Sequence, residues 1–268
     1  MRRLRIVVVC LAAACACGAI AASSASAALP ELGRCVKLAT KTGAFRGAGC
    51  VALNTKHTGE YEFESGPGAN KAFKLIFPGM TLENTSAHKL LCTNGQLTGE
   101  FTGAKSLKIS KVLLEGCEDA THHTSCYTNP VNPAVIESEN ALVGELGSVP
   151  GSINPANPFA AWDLKSESSL MPILLFFCGE ARGMITFMLE GSVIGRVTKT
   201  NVMVSSFTFT YKQKEGKQAF TAFIGGEEDV LKLSEKLFGS TETFTIQAGL
   251  AGTAPSTDGE PLEIKARV

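Results

Sequence analysis

From residue 203 the chain reads MVSSFTFTYKQ, which sets Met203, Phe207, Phe209 and Tyr211 on one side and Val204, Ser206, Thr208 and Thr210 on the other. A period of two suits an extended strand with one buried face, because successive side chains of a strand point to opposite faces. ETFTIQAGL repeats the rhythm at Phe244, Ile246, Ala248 and Leu250. Short, turn-bounded segments of the same kind recur upstream as YEF (61–63), KAFKLIF (71–77), MTLEN, HKLLC, SLKISKVLLEG and ALVGELG. In SLKISKVLLEG the alternation breaks phase at Lys111-Val112, which predicts a β-bulge. LMPILLFFC and MITFMLEGSVIG, joined by residues 179–183, read as the most deeply buried pair of strands. Pro172 belongs at the start of its strand, since proline donates no ladder hydrogen bond. A hairpin turn at Lys214-Glu215-Gly216-Lys217 leads toward QAFTAFI as a further strand. Only EEDVLKLSEKLFG offers a helix: Val230, Leu233 and Leu237 roughly follow helical spacing, and Gly239 stands where it would stop. An edge strand is the alternative there. The fold class expected is therefore all-β and mainly antiparallel, a sandwich or jelly-roll-like domain with at most one short helix.

The N-terminus speaks to compartment. Arg2, Arg3 and Arg5 precede the apolar run IVVVCLAAACACGAIAA, and Ala25-Ser26-Ala27 supplies small residues at a cleavage position. Charge, apolar run and small residues in that order form a secretory signal, so residues 1–27 are expected to be removed, with cleavage near Ala27/Ala28. An uncleaved anchor and a lipid attached at Cys15 are weaker readings, because the run is short and rich in Ala and Gly and Ala12 stands where a larger aliphatic belongs. The remainder, 28–268, is read as a single all-β domain with a long Pro/Asn-rich loop near 148–162. The whole chain carries 25 basic and 25 acidic residues, and loss of three arginines with the leader leaves a mildly acidic mature protein. No basic stripe invites nucleic acid, and no further apolar run reaches membrane-spanning length.

Three of the nine cysteines leave with the leader. Cys35, Cys50, Cys92, Cys117, Cys126 and Cys178 remain, and an even number in an exported chain points to disulfides. Local closures Cys35–Cys50 and Cys117–Cys126, with Cys92–Cys178 as a long-range staple, are the preferred pairing among those that six cysteines allow.

Two sequence echoes bear on loops. TGAF (42–45), TGEY (58–61) and TGEF (98–101) each look like a glycine turn that launches an aromatic-bearing strand, or else the trace of a duplicated hairpin. NPVNP (129–133) and NPANP (154–158) read as extended, polyproline-like loops, since proline disfavours helix for the residue before it. Trp162, beside the second, is expected to plug that loop, with an exposed contact to glycan as the rival reading.

Chemistry is sparse. There is no G-x-S-x-G elbow, no H-E-x-x-H, no P-loop and no calcium-loop spacing, so no catalytic residue and no cofactor is assigned. CEDATHHTSC (117–126) alone concentrates ligand-type side chains. His122, His123 and Asp119 are its weak metal candidates, with Glu118 beside them. Adjacent histidines project in different directions, however, and zinc motifs rely on separated pairs. The expected arrangement is a disulfide-closed loop with solvated histidines. His57 and His88 lie in polar, turn-like settings.

ALPELGRCVK, GAGCV, TGEYEF, TLEN, LLCTNGQLTGEFTGAK, LEGCE, LVGELG and YKQKEGKQ, in that order across nearly all of the mature chain, resemble a family of uncharacterised secreted actinobacterial proteins. The resemblance implies an exported, cysteine-containing β-protein and no catalytic residue. The function expected is that of a non-enzymatic secreted or cell-envelope protein that binds a surface or a cell-wall or extracellular protein partner. A secreted hydrolase whose site is not recognisable from sequence is the alternative.

Overall fold

The computed structural model describes residues 30–151, 158–180 and 183–266. The expected export signal and most of NPANP lie outside the described residues. The strands, in chain order, are β1 (Glu31–Lys37), β2 (Tyr61–Ser65), β3 (Ala72–Phe77), β4 (Met80–Asn84), β5 (Lys89–Phe101), β6 (Ser106–Asp119), β7 (Thr124–Tyr127), β8 (Val135–Glu137), β9 (Leu142–Val149) and β10 (Phe159–Ser166). They continue as β11 (Leu174–Cys178), β12 (Ile185–Glu190), β13 (Ser192–Thr198), β14 (Thr208–Tyr211), β15 (Gln213–Lys214), β16 (Lys217–Gln218), β17 (Lys232–Leu237), β18 (Phe244–Asp258) and β19 (Glu263–Lys265). The protein is all-β, and every strand pairing among the described residues is antiparallel. No helix among the described residues is long and apolar enough to cross a membrane.

Three long strands, β5, β6 and β18, organise everything else. Around their one half, pairing runs β14–β13–β10–β9–β6–β5–β3–β18 and returns to β14. Around the other, it runs β6–β7–β11–β12–β17–β18–β4–β5 and returns to β6. The sandwich-like sheet is thus curled into two closed rings that share three strands, and within each ring every strand has a partner on both sides along at least part of its length. A separate small sheet, β19–β1–β2, lies beside them.

Why these residues take these places follows from burial. Phe207, Phe209 and Tyr211 all face the interior, as the alternation required. In β6 the register to β5 slips so that Thr98 faces Lys111 while Gly99 faces Ile109, which leaves Ser110 as the extra residue. That bulge carries the apolar face from Leu107 and Ile109 across to Val112 and Leu114. Trp162 lies on β10 with no exposed surface, its ring beside Phe101. Trp162 therefore fills the core and does not plug the loop, and the glycan-contact reading fails because the ring meets no solvent. β9 and β10 pair directly, from Phe159↔Val149 to Ser166↔Leu142.

Several expectations are corrected. EEDVLKLSEKLFG forms neither helix nor edge: β17 is paired on both sides, by β12 and β18. Leu231 and Leu233 point inward while Lys232 points out, so burial at period two overrides the helical spacing. Beyond Gln218, which ends β16, QAFTAFI is a loop, in which Phe220 and Phe223 fold back onto Val149, Ala161 and Ile194. The NPVNP segment is a tight turn in which the Asn129 side chain accepts from the Val131 N–H (3.0 Å) and its carbonyl from the Asn132 N–H (2.9 Å). An asparagine able to bond its own backbone two residues on outcompetes extension. TGAF and TGEY lie against each other through Gly43↔Gly59 and Phe45↔Tyr61. A Cβ on either glycine would run into the facing backbone, so close approach rather than turning explains the residue.

Cys35 pairs with Cys50, whereas Cys92 pairs with Cys117 and Cys126 with Cys178. The expected Cys117–Cys126 and Cys92–Cys178 bonds do not form. Cys92 and Cys117 are cross-strand partners on β5 and β6, and Cys126 and Cys178 on β7 and β11. Register places each pair with Cα atoms 4.0 and 4.1 Å apart, well under the separation of about 7 Å beyond which two cysteines cannot be bridged. Three disulfides are the usual equipment of extracellular proteins.

Candidate functional site

Asp119 ends β6, and its carboxylate shapes the turn into β7. Its Oδ1 accepts from the N–H groups of Thr121 (2.9 Å) and His122 (3.2 Å), while Oδ2 lies 2.7 Å from His122 Nδ1. Hairpin pairing of Glu118 with Ser125 and of Asp119 with Thr124 closes this loop, in place of the expected disulfide. The neighbouring turn supplies a second histidine. Asn84, at the end of β4, accepts through Oδ1 from the N–H groups of Ser86 and His88, each at 2.9 Å. This folds the β4–β5 turn so that His88 Nε2 reaches Asp119 Oδ1 at 2.9 Å and His88 Nδ1 reaches Glu235 Oε1 on β17 at 3.2 Å. Asn84 Nδ2 also donates to Glu235 Oε1 (2.6 Å), so one asparagine orients both the histidine and its carboxylate.

The register that joins these turns is Leu90↔Asp119 between β5 and β6 and Thr245↔Ser234 between β18 and β17. Leu90, Phe176, Cys178, Phe187 and Leu233 form an apolar floor. His88 meets Phe187 edge-on at 5.2 Å and His122 at 5.3 Å. Asp119 is 2% exposed at its side chain, and His122 is 54% exposed, so the cluster has a buried anchor and an open mouth.

The electrostatics follow from this packing. The Glu235 hydrogen bond raises His88 above the ordinary imidazole range; burial opposes it, and Asp119 adds to the rise. Both ring nitrogens face acceptor-only carboxylates, which only the doubly protonated ring can satisfy. For Asp119 burial pushes upward, yet hydrogen bonds to His122 and His88 outweigh it and hold the carboxyl low. With both nitrogens engaged, His88 has no free lone pair to accept a nucleophile's proton. His122 keeps Nε2 free, but among the described residues no hydroxyl or thiol hydrogen-bonds it.

The sequence candidates are thus split. Asp119 and His122 come together with His88, their ligand-type atoms all within 4.8 Å of one another. His123 points away, 81% exposed, with Nδ1 3.1 Å from Glu118. His88 and Glu235 were missed by sequence reading, because nothing in local spacing brings residues 88, 119 and 235 together. Asn84-Thr85-Ser86 matches a glycosylation acceptor only formally, as Asn84 is buried and both ends of its amide are occupied.

A second feature lies beyond His123. An open groove of about 610 Å³ is walled by His123, Tyr127, Pro130, Pro133, Gly179 and Glu180. Tyr127 donates its hydroxyl to the Gly179 carbonyl (3.1 Å) and lies 3.9 Å from Met184 Sδ. The Met184 carbonyl in turn accepts from the Phe238 N–H (2.8 Å), which leads from the groove to the tip of the β17–β18 hairpin. There Leu237, Phe238 and Phe244 stand exposed, each with more than half of its surface in solvent. By contrast, the apolar cavity between the rings measures only about 60 Å³.

No family model, curated protein or solved structure matches the chain.

Proposed function

We propose that the protein is a non-enzymatic, exported binding protein of the cell envelope or extracellular space, in keeping with the resemblance to secreted actinobacterial proteins. The observation that carries this reading is the groove at Tyr127 together with the exposed apolar tip Leu237–Phe238–Phe244, to which Tyr127 is linked through Met184. Ligand sites commonly occupy about 300–1,000 Å³. The inter-ring cavity falls well short of that range and the groove lies within it, so recognition belongs on the surface and not in the interior. Exposed aromatic side chains grouped at one end are a familiar mark of partner contact. The occupant favoured is an extracellular protein surface, which Phe and Leu anchors fit better than a polysaccharide does.

The test is retention. Immobilised protein is challenged with secreted-protein and cell-wall fractions of the producing cells, beside a Leu237→Ser/Phe238→Ser variant. A defined protein species held by the native chain and reduced at least about tenfold by the variant is the expected result, the loss associated with removing a central anchor. Retention unaffected by the double substitution would remove this surface from consideration, and retention only of wall polymer would replace the protein partner with a glycan. The hydrolase alternative draws on the Asp119–His122 pair. Turnover of an ester, peptide or glycoside that disappears in His122→Ala would favour it.

A further inference from the structure

We propose that His88, Asp119 and His122 form a binding centre for a divalent transition-metal ion of the zinc class. Two imidazoles and one carboxylate make a borderline nitrogen and oxygen set, which suits zinc and its neighbours better than the hard cations calcium and magnesium. One ring nitrogen each from His88 and His122 and a carboxylate oxygen of Asp119 all lie within 4.8 Å of one another, and the nitrogens that already face Asp119 are His88 Nε2 and His122 Nδ1. Zinc bonds of about 2.0–2.2 Å require donors somewhat over about 3 Å apart. The hydrogen-bonded pairs at 2.9 and 2.7 Å need only open slightly for an ion to take the place of the protons between them.

Three supports around the donors argue for a built site. Glu235 holds His88 Nδ1, the outer carboxylate that fixes a metal-binding tautomer and leaves Nε2 for the ion. Asn84 fixes Glu235 and the His88 backbone together. Two backbone N–H groups hold Asp119 at the floor. Charge balance agrees: with both rings neutral, Asp119 and Glu235 offset a doubly charged cation. His122 is the exposed member, so the remaining coordination opens to water or to a donor from a bound partner. His123 and Glu118 pair with each other outside the cluster and take no part.

This centre stands apart from the partner-binding reading, and its test uses the metal alone. The full mature protein, with disulfides intact and previously stripped by a chelator, is titrated with zinc chloride at neutral pH by calorimetry and reread with cobalt(II) by visible absorption. One ion per chain is expected, with cobalt bands of low coordination number. His122→Ala lies at the surface and leaves the fold intact, and it should weaken binding by more than about tenfold; Glu235→Gln should weaken it by about 10–100-fold through the outer contact. His123→Ala should bind as the native chain does. Absence of stoichiometric binding, or equal losses from His122→Ala and His123→Ala, would overturn the proposal.

Discussion

Replacement of Trp162 by alanine is expected to lower the folding free energy by about 4 kcal/mol, within the usual cost of about 3–5 kcal/mol for truncating a core Trp or Phe. Trp162 is wholly buried on β10, with Leu146 of β9 and Gly195 of β13 as its cross-strand neighbours and Phe101 of β5 at 6.0 Å between ring centres. These four strands belong to one ring, so the cavity left by truncation has rigid walls on several sides and cannot readily collapse. Its indole N–H has no hydrogen-bond partner, so Trp162→Phe removes a buried orphan donor along with some volume and should cost distinctly less. Urea unfolding followed by far-ultraviolet circular dichroism measures both. A loss below about 0.5 kcal/mol for the alanine variant, as for an ordinary surface residue, would contradict the placement of the ring.

Asp258→Asn is expected to act in the opposite direction, and only above acid pH. Asp258 ends β18, buried, and its carboxyl is pushed up to about 6, chiefly by burial. Nearby Ser256, the Phe207 N–H and Lys199 draw it down only in part. The Ser256 oxygen is itself taken by the Phe207 N–H at 2.8 Å, and neither Asp258 oxygen has a partner in hydrogen-bonding geometry. Below about pH 4 the group is protonated both folded and unfolded and costs nothing. As pH rises toward 6 the unfolded chain ionises first and binds fewer protons than the native state, so stability falls, by up to about 3 kcal/mol, and then levels off. Asparagine removes that slope. The variant should therefore be more stable than the native protein at pH 7.5, by up to about 3 kcal/mol, and nearly equal to it at pH 3.5. Glu263, also raised by burial with Lys265 opposing, adds its own slope to both proteins and cancels in the comparison. An unaltered difference between the two proteins across this range would show that Asp258 ionises normally in the fold.

What could be read from the sequence was whatever depends on near neighbours along the chain. Alternation at Phe207, Phe209 and Tyr211 set a buried face, the phase break near Lys111 marked the bulge, and Pro172 stands just before β11. Features fixed by register between distant strands were not legible. Cys117 and Cys126 are near in sequence, yet the ladders of β5 with β6 and of β7 with β11 give each another partner. His88 looked like an ordinary turn residue until Leu90↔Asp119 pairing brought it to the carboxylate. The segment around Leu231 and Leu233 carries both helical and strand spacing, and only the strands on either side of β17 decide between them. Closure into two rings depends on each half of β18 having different neighbours, which no local pattern records.

Photocrosslinking reports whether the proposed end of the molecule meets a partner. A benzophenone side chain placed at Phe238, which is tied through Met184 to Tyr127 of the groove, is compared with one at Leu170, another apolar site that is 91% exposed and precedes the opposite end of β11. Irradiation in the secreted-protein fraction should yield a single covalent protein adduct from position 238 and none from position 170. Adducts of equal yield from both positions, or from position 170 alone, would mean that the Phe238 end is not the contact surface.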